Sequence, residues 1–278
     1  MRKIAKEEFV KAVKNLIIQT HYFLPEDVLE SIKNYIPIEE NEIAKDVLYK
    51  ILENARIASL TGLPLCQDTG IPQFFLKVGK NAYFDFDLSS TLNEVVQKVY
   101  EEENLRKSCV VDPIRRKPQE HCFTLHIEHT NEEEKCRIYL LIRGGGSENT
   151  STTTTFLPTT DFSEIVYWII DVVVKMLPYT CPPAVVGIGI GGSVEQSMLL
   201  AKKSFLRKIN ERNRDYFYSE LEKQIKEKIN GSAIGPLGLG GKISVLDVFI
   251  ETAPTHIATL PVSVILQCHS YRRSSVVI

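Results

Sequence analysis

The first sixty residues repeat apolar side chains at the spacing of a helix. Phe9, Val10, Val13, Leu16 and Ile17 make one stripe, and Ile43, Val47, Leu48, Ile51, Leu52 and Ala55 make another, because steps of three and four return to the same helical face. Between the stripes, Pro25 precedes Glu26 and Asp27. That order suits a first helical turn, where proline has no N–H to leave unbonded and acids favour the positive end of the helix dipole. The pattern predicts a helical layer over 1–62, closed by Gly62 and Pro64.

Beyond it the period shortens. Gln73 to Val78 reads as a strand, 91–105 as a helix, and 121–129 and 135–143 as two strands joined through Thr130 to Glu134 as a hairpin. No regular element easily accommodates Gly144-Gly145-Gly146-Ser147-Glu148-Asn149 and the threonine run that follows. Helical spacing resumes from Asp161, a good N-cap residue, to Leu177. The stretch 184–208 reads as strand, glycine turn and helix, with Ser193 and Gln196 spaced as a capping box. A charged helix to about Asn230 and two apolar strands, 243–250 and 261–267, lead to Cys268-His269 and a terminal SSVVI. The predicted class is α+β: a helical N-terminal region, 1–62, and a cluster of short sheets and glycine-rich turns over 63–278 forming one continuous α/β region.

Composition narrows the function. The 278 residues are 44% hydrophobic and 24% charged, enough for a large core. Lys+Arg 33 against Asp+Glu 35 leaves a net charge of -2, too balanced for nucleic acid or an anionic membrane to be the default partner. The most apolar stretch, Ile165 to Leu177, is broken by Asp171 and Lys175 and falls short of the roughly 20 residues that span a bilayer. Glu7 and Glu8 make the amino terminus unlike a secretory signal. A cytoplasmic chain acting on a small molecule or another protein is expected. Gly187-x-Gly189-x-x-Gly192 matches a dinucleotide fingerprint in its letters, yet the residues after Ser193 stay helical where a second strand ending in an acid is required. Gly240-Gly241-Lys242 is followed by Ile243 where a phosphate loop needs serine or threonine.

The six cysteines contain no CxxC pair, so neither a disulfide framework nor a zinc ribbon is indicated. Cys109, Cys122 and Cys136 lie in apolar or alternating stretches and read as small buried hydrophobes. Cys66, Cys181 and Cys268 sit at breaks in regular structure, beside Gln67 and Asp68, Pro182 and Pro183, and Gln267 and His269. Three distant thiolates suit a soft metal or an iron–sulfur cluster; three unrelated buried thiols fit the same spacing.

Five blocks narrow the choice: PLCQDTGIPQFFLKVG (64–79), LRKSCVVDPIRR (105–116), RGGGSEN (143–149), CPPAVVGIGIGGSVEQSMLLAKKSF (181–205) and QCHSYRR (267–273). In content and order they resemble the alpha subunit of the iron–sulfur class I fumarases and the related tartrate dehydratases. Arg143, where the family often has lysine, and the threonine run after Asn149 depart from its pattern. The resemblance implies that Cys66, Cys181 and Cys268 hold a 4Fe-4S cluster whose open iron acts as a Lewis acid. It implies that Gln67 faces the substrate, that Asp68 transfers a proton, and that Arg106 grips a carboxylate. It places Gly144, Gly145 and Gly146 against the same C4 dicarboxylate and His256 in the active site. Reversible hydration of fumarate to (S)-malate by an oxygen-sensitive hydro-lyase of the tricarboxylic acid cycle is the expected reaction. L(+)-tartrate dehydration or a non-catalytic iron–sulfur interaction protein are the alternatives. A separate beta subunit and an alpha homodimer within an alpha2beta2 assembly are the expected partners.

Overall fold

A computed structural model describes residues 1–132 and 134–278. In chain order the elements are β1 (Arg2–Ile4), α1 (Lys6–Tyr22), α2 (Glu26–Tyr35), α3 (Glu42–Thr61), β2 (Ile71–Gly79), β3 (Ala82–Phe84), α4 (Leu88–Glu102), β4 (Cys109–Asp112), β5 (Lys117–Glu120), β6 (Thr124–Thr130), β7 (Cys136–Arg143) and α5 (Gly145–Asn149). There follow β8 (Ser151–Phe156), α6 (Phe162–Met176), β9 (Ala184–Gly191), α7 (Val194–Ser204), α8 (Tyr216–Asn230), β10 (Val245–Ala253), β11 (Leu260–Gln267) and β12 (Arg273–Val277). The class is α+β, as the pattern predicts.

The chain forms two compact units, neither of which is continuous. The first takes Met1–Pro25, Ala55–Gly144 and Arg272–Ile278; the second takes Glu26–Asn54 and Gly145–Tyr271. The division therefore does not follow the expected boundary after residue 62, because α3 supplies residues to both units.

In the first unit a four-stranded sheet runs β12-β7-β2-β6. β2 is parallel to β6 and antiparallel to β7. The predicted hairpin of β6 and β7 is thus not formed: β2 lies between them. Alternation shows which face of a strand is buried but not which strand is its neighbour. Glu133, in the predicted turn, lies outside the described residues. β2 has neighbours on both sides, which is why IPQFFLKVG is apolar along most of its length and not at every second position. Phe9, Val13, Leu16 and Ile17 of α1 and Leu92, Val95, Val96 and Val99 of α4 pack with Phe74, Leu76, Ile138 and Leu140 in one core. Each such side chain contributes roughly 1.5–3 kcal/mol by leaving water.

In the second unit the sheet runs β10-β9-β11-β8. β9 is parallel to β10 and antiparallel to β11, which pairs antiparallel with β8. Val186, Ile188, Val248, Ile250, Val262 and Val264 form its core with Ile169 and Val173 of α6 and Ile225 of α8. The glycines of β9 serve packing. A Cβ on Gly189 would stand 1.9 Å from the Ser197 carbonyl oxygen, so glycine lets α7 lie against the strand.

Several local expectations are corrected. The threonine run is an edge strand, β8, in keeping with the strand preference of β-branched residues. Ser193 precedes α7 but makes no side-chain cap; its hydroxyl goes to Glu195, whose carboxyl is held low first by its own backbone N–H and then by that hydroxyl. Asp161 does cap α6, accepting from Ser163 N–H at 2.8 Å. Ile43 of the second stripe is 60% exposed. Cys109 and Cys122 are neither strand-buried nor free: they form a disulfide. Cys122 lies before β6, so the loop between β5 and β6 brings it back to the start of β4.

Candidate active site

The loop between α3 and β2 carries Cys66, Gln67 and Asp68. Cys66 is a free, partly exposed thiol, and its Sγ stands 3.3 Å from Gln67 Oε1. Gly70, at φ +68°, turns the chain so that its N–H donates to Asp68 Oδ1 at 3.0 Å. That backbone conformation favours glycine, and a Cβ on Gly70 would also lie 2.5 Å from the Arg143 carbonyl oxygen.

Beneath this loop lie groups that the apolar pattern conceals. His21 is fully buried on α1, with Nδ1 2.8 Å from the Ile17 carbonyl and Nε2 3.1 Å from that of Thr69. Burial, and next the nearby Arg272 cation, push its pKa down to about 4. Tyr100, its ring edge-on to His21, donates its hydroxyl to Thr69 O at 3.5 Å. Burial pushes that phenol up. Arg272, 1% exposed, donates from Nη1 to the Asp68 carbonyl at 2.9 Å. The sequence offered a weak signal for it, an arginine pair in QCHSYRR, but nothing to show that Arg272 is buried and Arg273 is not.

Two further predicted residues join Asp68 in this unit. A Cβ on Gly144 would lie 2.7 Å from Asp68 Oδ2 and 3.7 Å from Arg272 Nη2. Arg106 is exposed, and its backbone is tied to Thr69. Ser108 Oγ reaches Asp68 Oδ1 at 3.5 Å.

In the second unit, Cys181 and Cys268 come together at one end of the sheet. His269, next to Cys268, meets the Cys181 carbonyl through its N–H at 3.3 Å and its Nδ1 at 2.9 Å. Neither cysteine is in a disulfide; Cys181 is exposed and Cys268 partly so. Ser147 Oγ accepts the Cys268 N–H at 3.3 Å, which sets α5 beside them. Gly145 and Gly146 begin α5 and are exposed, and a Cβ on Gly146 would be 3.3 Å from the Tyr179 carbonyl. His256 is not brought to these cysteines. It lies before β11, whereas Cys268 follows β11, and eight residues of strand span about 26 Å. There His256 lines a cleft of about 620 Å³ with Gly192, Ser193 and Gln196.

For an iron–sulfur cluster, the donor set is soft: Cys181 and Cys268, neither in a disulfide, lie at the same end of the second unit's sheet, and Cys66 sits on the Gln67–Asp68 loop of the first. The chemistry fits, although no group of three or more His, Cys, Asp or Glu closes on a point among the described residues. No helix among those residues is long and apolar enough to cross a membrane.

Comparison with known proteins agrees with the resemblance. The family described as Fumarate hydratase (Fumerase) matches residues 10–277. A Methanocaldococcus jannaschii protein named "Putative L(+)-tartrate dehydratase subunit alpha" is 40% identical over 270 residues, covering 94% of each chain. The L(+)-tartrate dehydratase subunit alpha of Escherichia coli is 28% identical over 280 residues, covering 99% of this chain and 92% of its own. Fold and relatives together define an alpha subunit of a hydro-lyase. The chain belongs to the fumarate hydratase (Fumerase) family, which takes in the tartrate dehydratase alpha subunits.

Proposed function

We propose that the chain is the alpha subunit of a 4Fe-4S hydro-lyase that interconverts fumarate and (S)-malate, completed by a separate beta subunit. The observation that carries this reading is the Cys66–Gln67–Asp68 loop, which sets a thiol, an amide and an oriented carboxylate side by side. Cys66, Cys181 and Cys268 would hold the cluster, which when bound supplies a Lewis-acidic iron that makes hydroxide a better leaving group. Asp68 takes and returns the proton of the departing water, its carboxylate kept in one orientation by the Gly70 N–H. Arg106, an exposed residue, binds the remote carboxylate as a two-pronged donor. Gln67 and the N–H groups of Gly144, Gly145 and Gly146 complete the contacts with the dicarboxylate. The base that takes the C3 proton comes from the beta subunit. His256, about 26 Å along β11 from Cys268, serves such a site only as the contribution of a second copy, in line with the expected alpha homodimer. The place of action is the cytoplasm.

The test is turnover by anaerobically prepared alpha–beta complex, wild type against Asp68→Asn. Malate dehydration lost at least a hundredfold in the variant supports the reading; full activity of Asp68→Asn overturns it. A second reading, L(+)-tartrate as substrate, is favoured by the names of the relatives. The same complex assayed on malate and tartrate separates the two by their kcat/KM ratio. Activity should also decay in air, because the iron without a thiolate is the least protected.

A further inference from the structure

Thr69 is 3% exposed, and its hydroxyl both donates to and accepts from one residue. Arg106 N–H donates to Thr69 Oγ1 at 3.0 Å, and Oγ1 donates to the Arg106 carbonyl at 3.2 Å. The backbone around Thr69 is itself fixed. Its carbonyl meets His21 Nε2 and the Tyr100 hydroxyl, and the Asp68 carbonyl before it accepts from Arg272. From the other side, Ser108 Oγ closes onto Asp68 Oδ1. The segment from Arg106 to Ser108 is therefore held to the Asp68 loop through the buried Thr69 hydroxyl and the Ser108 hydroxyl.

We propose that Thr69 is a positioning residue that fixes Arg106 relative to Asp68, so that the carboxylate-binding guanidinium and the proton-transferring carboxylate meet one C4 dicarboxylate in register. The inference rests on the roles given to those two residues above. Valine has the shape of threonine but makes neither bond, leaving the Arg106 N–H and carbonyl without these partners. Serine keeps both bonds.

The experiment compares wild-type alpha–beta complex with Thr69→Val, Thr69→Ser, Arg106→Ala and the double variant Thr69→Val/Arg106→Ala. The readouts are KM, kcat, the melting temperature, and the Kd of succinate, an unreactive C4 dicarboxylate, by calorimetry. Thr69→Ala removes the same hydroxyl with a smaller side chain and replaces valine if that variant does not fold. The expected result is a Kd raised about tenfold by Thr69→Val, or about 1.4 kcal/mol, and within threefold of wild type for Thr69→Ser. The double variant should bind no more weakly than Arg106→Ala alone. Effects of Thr69→Val and Arg106→Ala that multiply, wild-type binding by Thr69→Val, or a Thr69→Ser as weak as the valine variant each overturn the positioning role. Unchanged succinate binding by Arg106→Ala instead overturns the role of Arg106, and the inference falls with it.

Discussion

Gly144 and Asp68 occupy adjoining space: a methyl group on Gly144 would stand 2.7 Å from Asp68 Oδ2. The close approach explains why glycine stands at the end of β7, where its backbone φ makes no special demand. A side chain can swing away where a backbone cannot, so Gly144→Ala is expected to fold while displacing the Asp68 carboxylate. A fall in kcat of tenfold or more, about 1.4 kcal/mol of barrier, is expected with an unchanged circular dichroism spectrum. Gly189→Ala, opposed by the Ser197 carbonyl at 1.9 Å, is expected to yield no folded protein. A Gly144→Ala variant of full activity would show that Asp68 has room to spare.

Replacing Cys66, Cys181 or Cys268 with serine is expected to remove visible absorption and bound iron from protein prepared without air. Cys136 is the control. It is fully buried in the first core, and burial pushes its thiol up to about 12, so Cys136→Ala should keep its colour and lose only stability, on the order of 1 kcal/mol. Iron retained by any of the three serine variants would strike that residue from the ligand set.

His21 makes stability depend on pH. Its pKa is about 4 in the folded chain against 6.5 for the ordinary group, so the unfolded chain takes up a proton first as the pH falls. The folded state therefore enjoys the full benefit above about pH 6.5 and loses it between about pH 6.5 and 4, in all about 3 kcal/mol. Denaturant unfolding at pH 7 and pH 4.5 should show a smaller drop for His21→Gln than for wild type. An equal drop in both would assign the acid sensitivity to other groups.

Glu222 is a fully buried carboxylate at the heart of the second unit. It accepts from Arg207 at 2.8 Å and from the backbone N–H groups of Ile250 at 2.9 Å and Asn213 at 3.1 Å. Asp247, equally buried, pairs with Arg212 nearby. Glu222→Leu takes from the mostly buried Arg207 its nearest carboxylate and leaves it only Glu251 as an acidic partner, and breaking a buried pair from one side costs about 3–5 kcal/mol. The urea midpoint should fall accordingly; a shift under 1 kcal/mol would mean that Glu251, 3.3 Å from Arg207, takes over as its partner.

The helices were legible because their periodicity answers to a local cause: Phe9, Val13, Leu16 and Ile17 face the first core as their spacing requires. Strand partners were not, since β6 and β7 carry nothing in their own residues to say that β2 intervenes. The Thr152–Thr155 stretch was passed over because threonine is polar, although its branched Cβ suits an edge strand. At the site, Asp68 and Gly144 were found through motif resemblance, and the structure shows them in contact range. His21, Tyr100 and Arg272 were not singled out: a buried polar residue looks like any other in a sequence, and only three-dimensional packing shows what it holds.

The interleaving of the two units bears on how the molecule is made. β12, which completes the sheet of the first unit beside β7, follows in the chain after every segment of the second unit, which is fully specified at Tyr271. On the ribosome, the first unit must therefore wait for the second to be made before its sheet can be completed. A nascent chain halted before β12 would expose the flank of β7 as a bare sheet edge, a surface prone to capture another strand.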